Sequence, residues 1–221
     1  RIEDFENNLP SFIKLAYLPN YGRVRLRLSA KGDDKKLLED TLQEQIAELY
    51  KLIPDIISGF DEGGKIEDKI GALLTQKGKT ICTAESLTGG KIASTIVSVP
   101  GSSAYYKGSF VAYSAGTKIS LLGVSSETIA KYSVVSKEVA VAMAKGAKEK
   151  LQTNYALAVT GNAGPTADYN DKGVGVVFIA LATDTEVFVE EFNFGKPRGR
   201  VIDKTVNKSL EMLQKEILKN S

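Results

Sequence analysis

Histidine is absent from the 221 residues, and that absence restricts the chemistry more than any other count. Without imidazole there is no Ser-His-Asp or Cys-His machinery, so a hydrolase built on this chain must take its base from Lys, Tyr, a carboxylate or a metal. Cysteine occurs once, as Cys82. That excludes an intramolecular disulfide framework and, with no histidine to share a metal, a zinc site. A reducing cytoplasm is the expected compartment. Long apolar runs are also lacking: none approaches the roughly 20 residues a membrane span needs, and no basic-then-apolar leader is visible. Excess charge of either sign is missing, because 29 Lys and Arg face 27 Asp and Glu for a formal net charge of +2. The chain therefore has no electrostatic footprint of a nucleic-acid binder, and a phosphate-bearing ligand would have to be held by a local site. It opens at Arg1 rather than a methionine and is expected to be a piece cut from a longer protein.

What is present is ordinary globular composition, 43% apolar and 25% charged, enough for one medium domain and a small one. Residues 1–62 read as a small α+β module. A strand-like run from Phe12 to Leu18 is closed by Pro19, Asn20 and Gly22, and Arg23 to Leu28 alternates charge with aliphatic side chains, the period of a half-buried strand. The two form an expected hairpin. Leu37, Leu38, Leu42, Ile46, Leu49 and Ile53 then recur at helical spacing up to Pro54, and Ile56 to Phe60 is a candidate third strand. Arg23, Arg25 and Arg27 share a strand face, read as solvated rather than as a phosphate stripe. Gly63, Gly64 and Lys65 form the expected linker.

From residue 65 to 221 helices and strands interleave. Ile66–Leu74 is a helix, Thr80–Thr83 a buried strand, and a helix runs through Val97. Gly108–Tyr113 is a strand, Val139–Leu151 a helix and Tyr155–Thr160 an apolar strand. Val174–Ala182 and Glu186–Phe194 make a hairpin, and Val201–Leu218 is a terminal helix. This pattern predicts a three-layer α/β/α sandwich with a mixed sheet.

Three loops carry residues suited to chemistry. Thr83 to Gly90 sits where a buried strand turns into a helix, and such a turn exposes hydroxyls beside free amides able to bind a phosphate or an oxyanion. Ser86 is the candidate nucleophile there; the alternative is that Ser86 or Thr88 merely caps the helix. Gly78-Lys79-Thr80 imitates the end of a phosphate-binding loop, but residue 73 is Leu rather than Gly, and the strand follows instead of preceding it. In the second loop, alternation places Ser109, Val111 and Tyr113 on one strand face, and a turn at Gly116 would return Lys118 to the same end. A lysine acting as a base at neutral pH needs burial or a neighbouring cation to favour its neutral form. Taken alone, Lys118 is one of many lysines and reads as a surface residue. The third loop, Gly161 to Pro165, suits close approach of backbone to a ligand or is a plain turn.

Together the segments TAESLTGG (83–90), PGSSAYYKGSFVAYS (100–114), YSVVS (132–136) and TGNAGP (160–165) resemble the C-terminal domain of the CinA, competence-damage-inducible, family. The resemblance covers about residues 65–218. It implies hydrolysis of nicotinamide mononucleotide to the acid with release of ammonia, as part of pyridine nucleotide recycling. It implies Ser86 as nucleophile, Lys118 as its base partner, Tyr113 as a supporting hydrogen-bond donor and Arg198 for the substrate phosphate. Backbone contacts to substrate would come from Thr88, Gly89, Gly90, Gly161, Ala163 and Gly164. No cofactor or metal is implied, and a homodimer is the expected assembly, with no membrane or nucleic-acid partner. Residues 1–62 look similar to the KH-type module of full-length CinA proteins, and the pyrophosphatase-like domain of that architecture is absent from this sequence. A catalytically weak pyridine-nucleotide-binding or interaction protein of the same fold is the alternative reading.

The sequence departs from the family pattern in three places. YSNEAK becomes Tyr113-Ser114-Ala115-Gly116-Thr117-Lys118. SGIAGP with its glycine pair becomes Thr160-Gly161-Asn162-Ala163-Gly164-Pro165 followed by Thr166, Ala167 and Asp168. Gly-Asp-Arg becomes Gly195-Lys196-Pro197-Arg198, which leaves Arg198 and Arg200 as competing assignments.

Overall fold

The computed structural model describes residues 1–20, 23–57, 59, 65–166 and 172–219. The chain divides into two compact units, 1–63 and 64–221.

In the smaller unit a short helix α1 (Glu3–Asn7) precedes the hairpin β1 (Ile13–Asn20) and β2 (Arg23–Ala30), and α2 (Lys35–Leu52) follows. The antiparallel register sets Leu15 opposite Leu28 and Tyr17 opposite Leu26. That face, together with α2, packs around Phe5, Leu49 and Ile53. Arg25 and Arg27 fall on the other face and are exposed, as a solvated face requires. Helix α2 begins where the Asp34 carboxylate accepts the Leu37 N–H, a cap worth about 1 kcal/mol. The expected third strand does not form among the described residues: Pro54–Ile56 is a turn after α2, Ile57 and Gly59 are irregular, and Ser58 and Phe60 lie outside them.

The larger unit runs α3 (Ile66–Gln76), β3 (Ile81–Glu85), α4 (Lys91–Val97), β4 (Tyr106–Val111), α5 (Ala115–Leu122), α6 (Ser126–Tyr132), α7 (Lys137–Leu151), β5 (Tyr155–Gly161), β6 (Val176–Ala182), β7 (Val187–Asn193) and α8 (Arg198–Lys219). Its five strands stand in the order β4-β3-β5-β6-β7. The β4-β3-β5 part is parallel and the β5-β6-β7 part antiparallel, so the sheet is mixed.

Strands β3, β5 and β6 are buried along their length, and alternation sorts their side chains by size. Ile81, Leu157, Val159, Val177, Ile179 and Leu181 face α3, α4 and α8. Cys82, Ala84, Ala156, Ala158, Ala180 and Ala182 face α7, which replies with Ala140, Ala144 and Ala147. Small residues on both sides let α7 lie close across the sheet. Gly146 of α7 brings it equally close to α5, since a Cβ there would stand 1.9 Å from the Leu122 carbonyl oxygen. Helix α5 is thereby locked beside the C-terminal ends of the parallel strands, where open α/β sheets place their ligands.

Candidate active site

The last residue of β3 and the one after it send their side chains to opposite faces of the sheet. Its alternation continues past Glu85, so Glu85 points with Ile81 and Thr83 toward α4, whereas Ser86 follows Ala84 toward α5 and α7. The Ser86 N–H still donates to the Val159 carbonyl (3.1 Å), extending the β3-β5 ladder by one residue.

Lys118 reaches Ser86 from α5. The sequence suggested a turn at Gly116; instead Gly116 lies in the first turn of α5, and Lys118 is a helical residue whose side chain enters the sheet end. Helix α5 starts on a capping box: the Ser114 hydroxyl accepts the Thr117 N–H, and the Thr117 hydroxyl accepts the Ser114 N–H. Lys118 is 2% exposed and Ser86 7%. The Lys118 Nζ is 2.9 Å from Ser86 Oγ, and it donates to the Ala112 carbonyl at 2.8 Å and the Tyr113 carbonyl at 3.4 Å. With two of its directions committed to carbonyls, a neutral amine would turn its lone pair to the Ser86 hydroxyl.

The remaining candidates differ in what they do. Tyr113 lies beyond the end of β4 rather than in it, and is 61% exposed. Its hydroxyl accepts a hydrogen bond from Arg198 Nη2 (3.2 Å), while Arg198 Nη1 donates to the Gly164 carbonyl (2.8 Å). Arg198, rather than Arg200, thus meets the Tyr113 and Gly164 loops. Gly161 ends β5 in register with Val177, and Ala163 is buried in the hydrophobic core, so packing accounts for both. Gly89 and Gly90 take positive φ values of 59° and 97°, the left-handed turn that launches α4, and nothing lies within 4 Å of where a Gly89 side chain would start. Thr88 is 5% exposed and, among the described residues, its hydroxyl has no hydrogen-bond partner.

One expectation is corrected here. The amides at the start of α4 are not free, because the Glu85 carboxylate accepts those of Gly90 (3.0 Å), Ile92 (3.0 Å) and Ala93 (2.8 Å). Gly89 donates to the Ser86 carbonyl and Lys91 to that of Thr88. An anionic ligand has no claim on this helix end. Glu85 lies inside the TAESLTGG segment, whose residue types alone do not reveal this role. The available signal was its parity, an acid on the helix-facing side of a strand that runs straight into a helix start.

Cys82 is no rival nucleophile. Burial pushes its thiol above the ordinary range, and Thr153 donates to its sulfur at 3.2 Å.

A family model described as the CinA C-terminal domain matches residues 64–217. The chain belongs to the CinA family. A CinA-like protein of Flavobacterium psychrophilum is 56% identical over 220 residues, which are 100% of this chain and 53% of that protein. A CinA-like protein of Cytophaga hutchinsonii is 36% identical over 216 residues, 98% of this chain and 51% of that one. The chain thus spans about half the length of the curated relatives it matches. Among solved structures, the competence/damage inducible protein CihA from Agrobacterium tumefaciens is 34% identical with a TM-score of 0.63, over 70% of this chain and 97% of that one. The mixed, helix-flanked sheet is the one found in CinA superfamily structures. Against the CinA pattern, the loss of the Asn-Glu pair at Ala115-Gly116 leaves α5 formed, because Thr117 supplies the capping partner. Asn162, in place of the usual Ile, turns its own loop by accepting the Gly164 N–H (2.8 Å). Thr166 follows in an irregular stretch, and Ala167 and Asp168 lie outside the described residues.

Proposed function

We propose that this chain is an amidohydrolase that converts nicotinamide mononucleotide to nicotinic acid mononucleotide and ammonia, with Ser86 as nucleophile and Lys118 as general base. The observation that carries the reading is the 2.9 Å approach of Lys118 Nζ to Ser86 Oγ in a buried setting, in a chain that has no histidine to do this work. Ser86 Oγ attacks the amide carbon as its proton passes to Lys118. The tetrahedral intermediate collapses when the resulting ammonium returns that proton to the leaving nitrogen, which departs as ammonia. Water, deprotonated by the same amine, then hydrolyses the ester on Ser86 and releases the acid. Arg198 supplies positive charge for the phosphate, a role that falls to it because Glu85 closes the helix end.

The same proposal takes residues 1–63 as a KH-type module outside the chemistry, a reading supported by a hairpin packed on one helix. The test of the activity is ammonia release from the mononucleotide. Wild type is expected to turn over, and Ser86→Ala to lose at least about 10³-fold in kcat while keeping its fold. Binding without turnover by the wild type would replace the enzyme with a nucleotide-binding protein of the same fold.

A further inference from the structure

We propose that Glu85 is the positioning residue of the Ser86–Lys118 pair, acting on both members through the backbone. The inference rests on the hydrolytic reading above. The carboxylate is fully buried and lies on the sheet face away from Lys118. It does not touch the reacting atoms. Its two oxygens accept the N–H groups of Gly90, Ile92 and Ala93, so residues 86–89 form a loop rooted in Glu85 and closed by the side chain of the same residue. Ser86 is the first residue of that ring. The Glu85 main chain completes the arrangement. Its carbonyl accepts the Ala112 N–H at 2.8 Å, and the Ala112 carbonyl in turn accepts Lys118 Nζ at 2.8 Å. One residue therefore anchors the loop that bears the nucleophile and the segment that aims the base.

The chemistry of the carboxylate suits this and little else. Two sp² oxygens accept several N–H groups at once, and such charge-assisted bonds are about twice as strong as neutral ones. Left unmade, the buried Ile92 amide would carry a desolvation cost, and the part-buried Gly90 and Ala93 amides a smaller one. A glutamine of the same shape keeps one acceptor oxygen and turns an NH₂ toward a backbone N–H, donor against donor. The loop would then have to shift, and a displacement on the order of 1 Å between reacting groups costs about 10²-fold in rate.

The test compares wild type, Glu85→Gln, Glu85→Asp and Ser86→Ala by turnover and by phosphonylation with an alkyl fluorophosphonate followed by intact mass. In that reaction Ser86 Oγ forms a bond to phosphorus, the P–F bond breaks, fluoride leaves and the hydroxyl proton passes to Lys118, with no nucleotide needed. The labelling amplitude counts folded sites, and the labelling rate reports the geometry at Ser86. Glu85→Gln is expected to lower kcat and the labelling rate by about 10²-fold with KM within about two-fold, the signature of an interaction that matters in the transition state rather than in binding. Ser86→Ala is expected not to label. If Glu85→Gln labels and turns over as wild type does, Glu85 is only a helix cap and the inference is overturned. If wild type neither turns over nor labels at Ser86, the hydrolytic reading falls first and this inference with it. Should Glu85→Gln fail to fold, Glu85→Asp decides: it keeps the charge at shorter reach, and a wild-type labelling rate in that variant overturns the positioning role.

Discussion

Arg198 donates one guanidinium nitrogen to the Tyr113 hydroxyl and another to the Gly164 carbonyl, so a single side chain at the start of α8 ties the segment after β4 to the loop after β5. Only a planar fork makes both bonds in those directions, and a lysine would keep one at most. Arg198→Lys is therefore expected to raise KM for the mononucleotide by about ten-fold, and Tyr113→Phe to raise it less while changing stability by under about 0.5 kcal/mol, as suits an exposed side chain. Steady-state kinetics of both variants check this, and an unchanged KM in Arg198→Lys would remove Arg198 from substrate binding.

Much of the fold was legible because each strand of the larger unit carries its own signal. Tyr155 to Thr160 alternates large and small apolar residues, and both sets are buried, one under α8 and the other under α7. Helices α5 and α6 were not legible. They are eight and seven residues long, and Ala115 and Gly116 offer no periodic apolar stripe, so only the Ser114–Thr117 and Ser125–Thr128 caps marked their starts. That gap explains the misplacement of Lys118 on a turn. The residue types from Thr83 to Gly90 mark a candidate site, but they do not show how its amides are used. Whether a helix end is free depends on where a neighbouring carboxylate turns, and strand parity becomes decisive only once the end of the strand is known.

Thr88 is expected to trade stability for binding. Its hydroxyl, two residues after Ser86 in the chain, is buried with no partner among the described residues, an arrangement that costs free energy unless a ligand supplies the missing bond. Thr88→Val keeps the shape without the hydroxyl. It is expected to stabilise the free protein by about 1 kcal/mol and to weaken substrate binding, with Thr88→Ser near wild type in affinity. Urea unfolding and KM measured side by side check the pair. A valine variant that gains stability with KM unchanged would assign the hydroxyl no role in binding.

The turn between β6 and β7 should carry part of the acid sensitivity of the fold. Lys148 donates to Asp184 at 3.0 Å, and with help from Asn154 and Lys79 it holds the Asp184 carboxyl below the usual carboxylate range. A carboxyl whose value is lower folded than unfolded contributes stability that is complete above the unfolded value, near 3.9, and disappears as pH falls through the lowered one. Asp184→Asn is therefore expected to be less stable than wild type at neutral pH, and the difference to shrink as pH drops below about 4. Because the side chain is half exposed, the neutral-pH loss should stay under about 1 kcal/mol. Urea midpoints from pH 7 to 3 check the sign. A gap that widens on acidification would show that the ion pairs of Asp184 do not stabilise the fold.

Lys118 separates a base from a fixed charge. As a base it must release a proton in each half-reaction. As an electrostatic anchor it need only be positive. Lys118→Arg preserves the charge, but a guanidinium does not give up its proton near neutral pH, and its planar head cannot occupy the position that Nζ holds between the Ala112 and Tyr113 carbonyls and Ser86. Lys118→Met preserves most of the stem and removes the charge. If the amine is the base, both variants should fall by at least about 10³-fold in kcat, and fluorophosphonate labelling of Ser86 should slow in both. The extra volume of arginine in a buried site is expected to cost about 1–3 kcal/mol, so melting temperatures must accompany the kinetics. Substantial turnover in Lys118→Arg alongside a dead Lys118→Met would mean that charge suffices. The proton would then leave Ser86 by another route, and the Tyr113 hydroxyl would be the next group to remove, since the Glu85 carboxylate is taken up by the amides of α4.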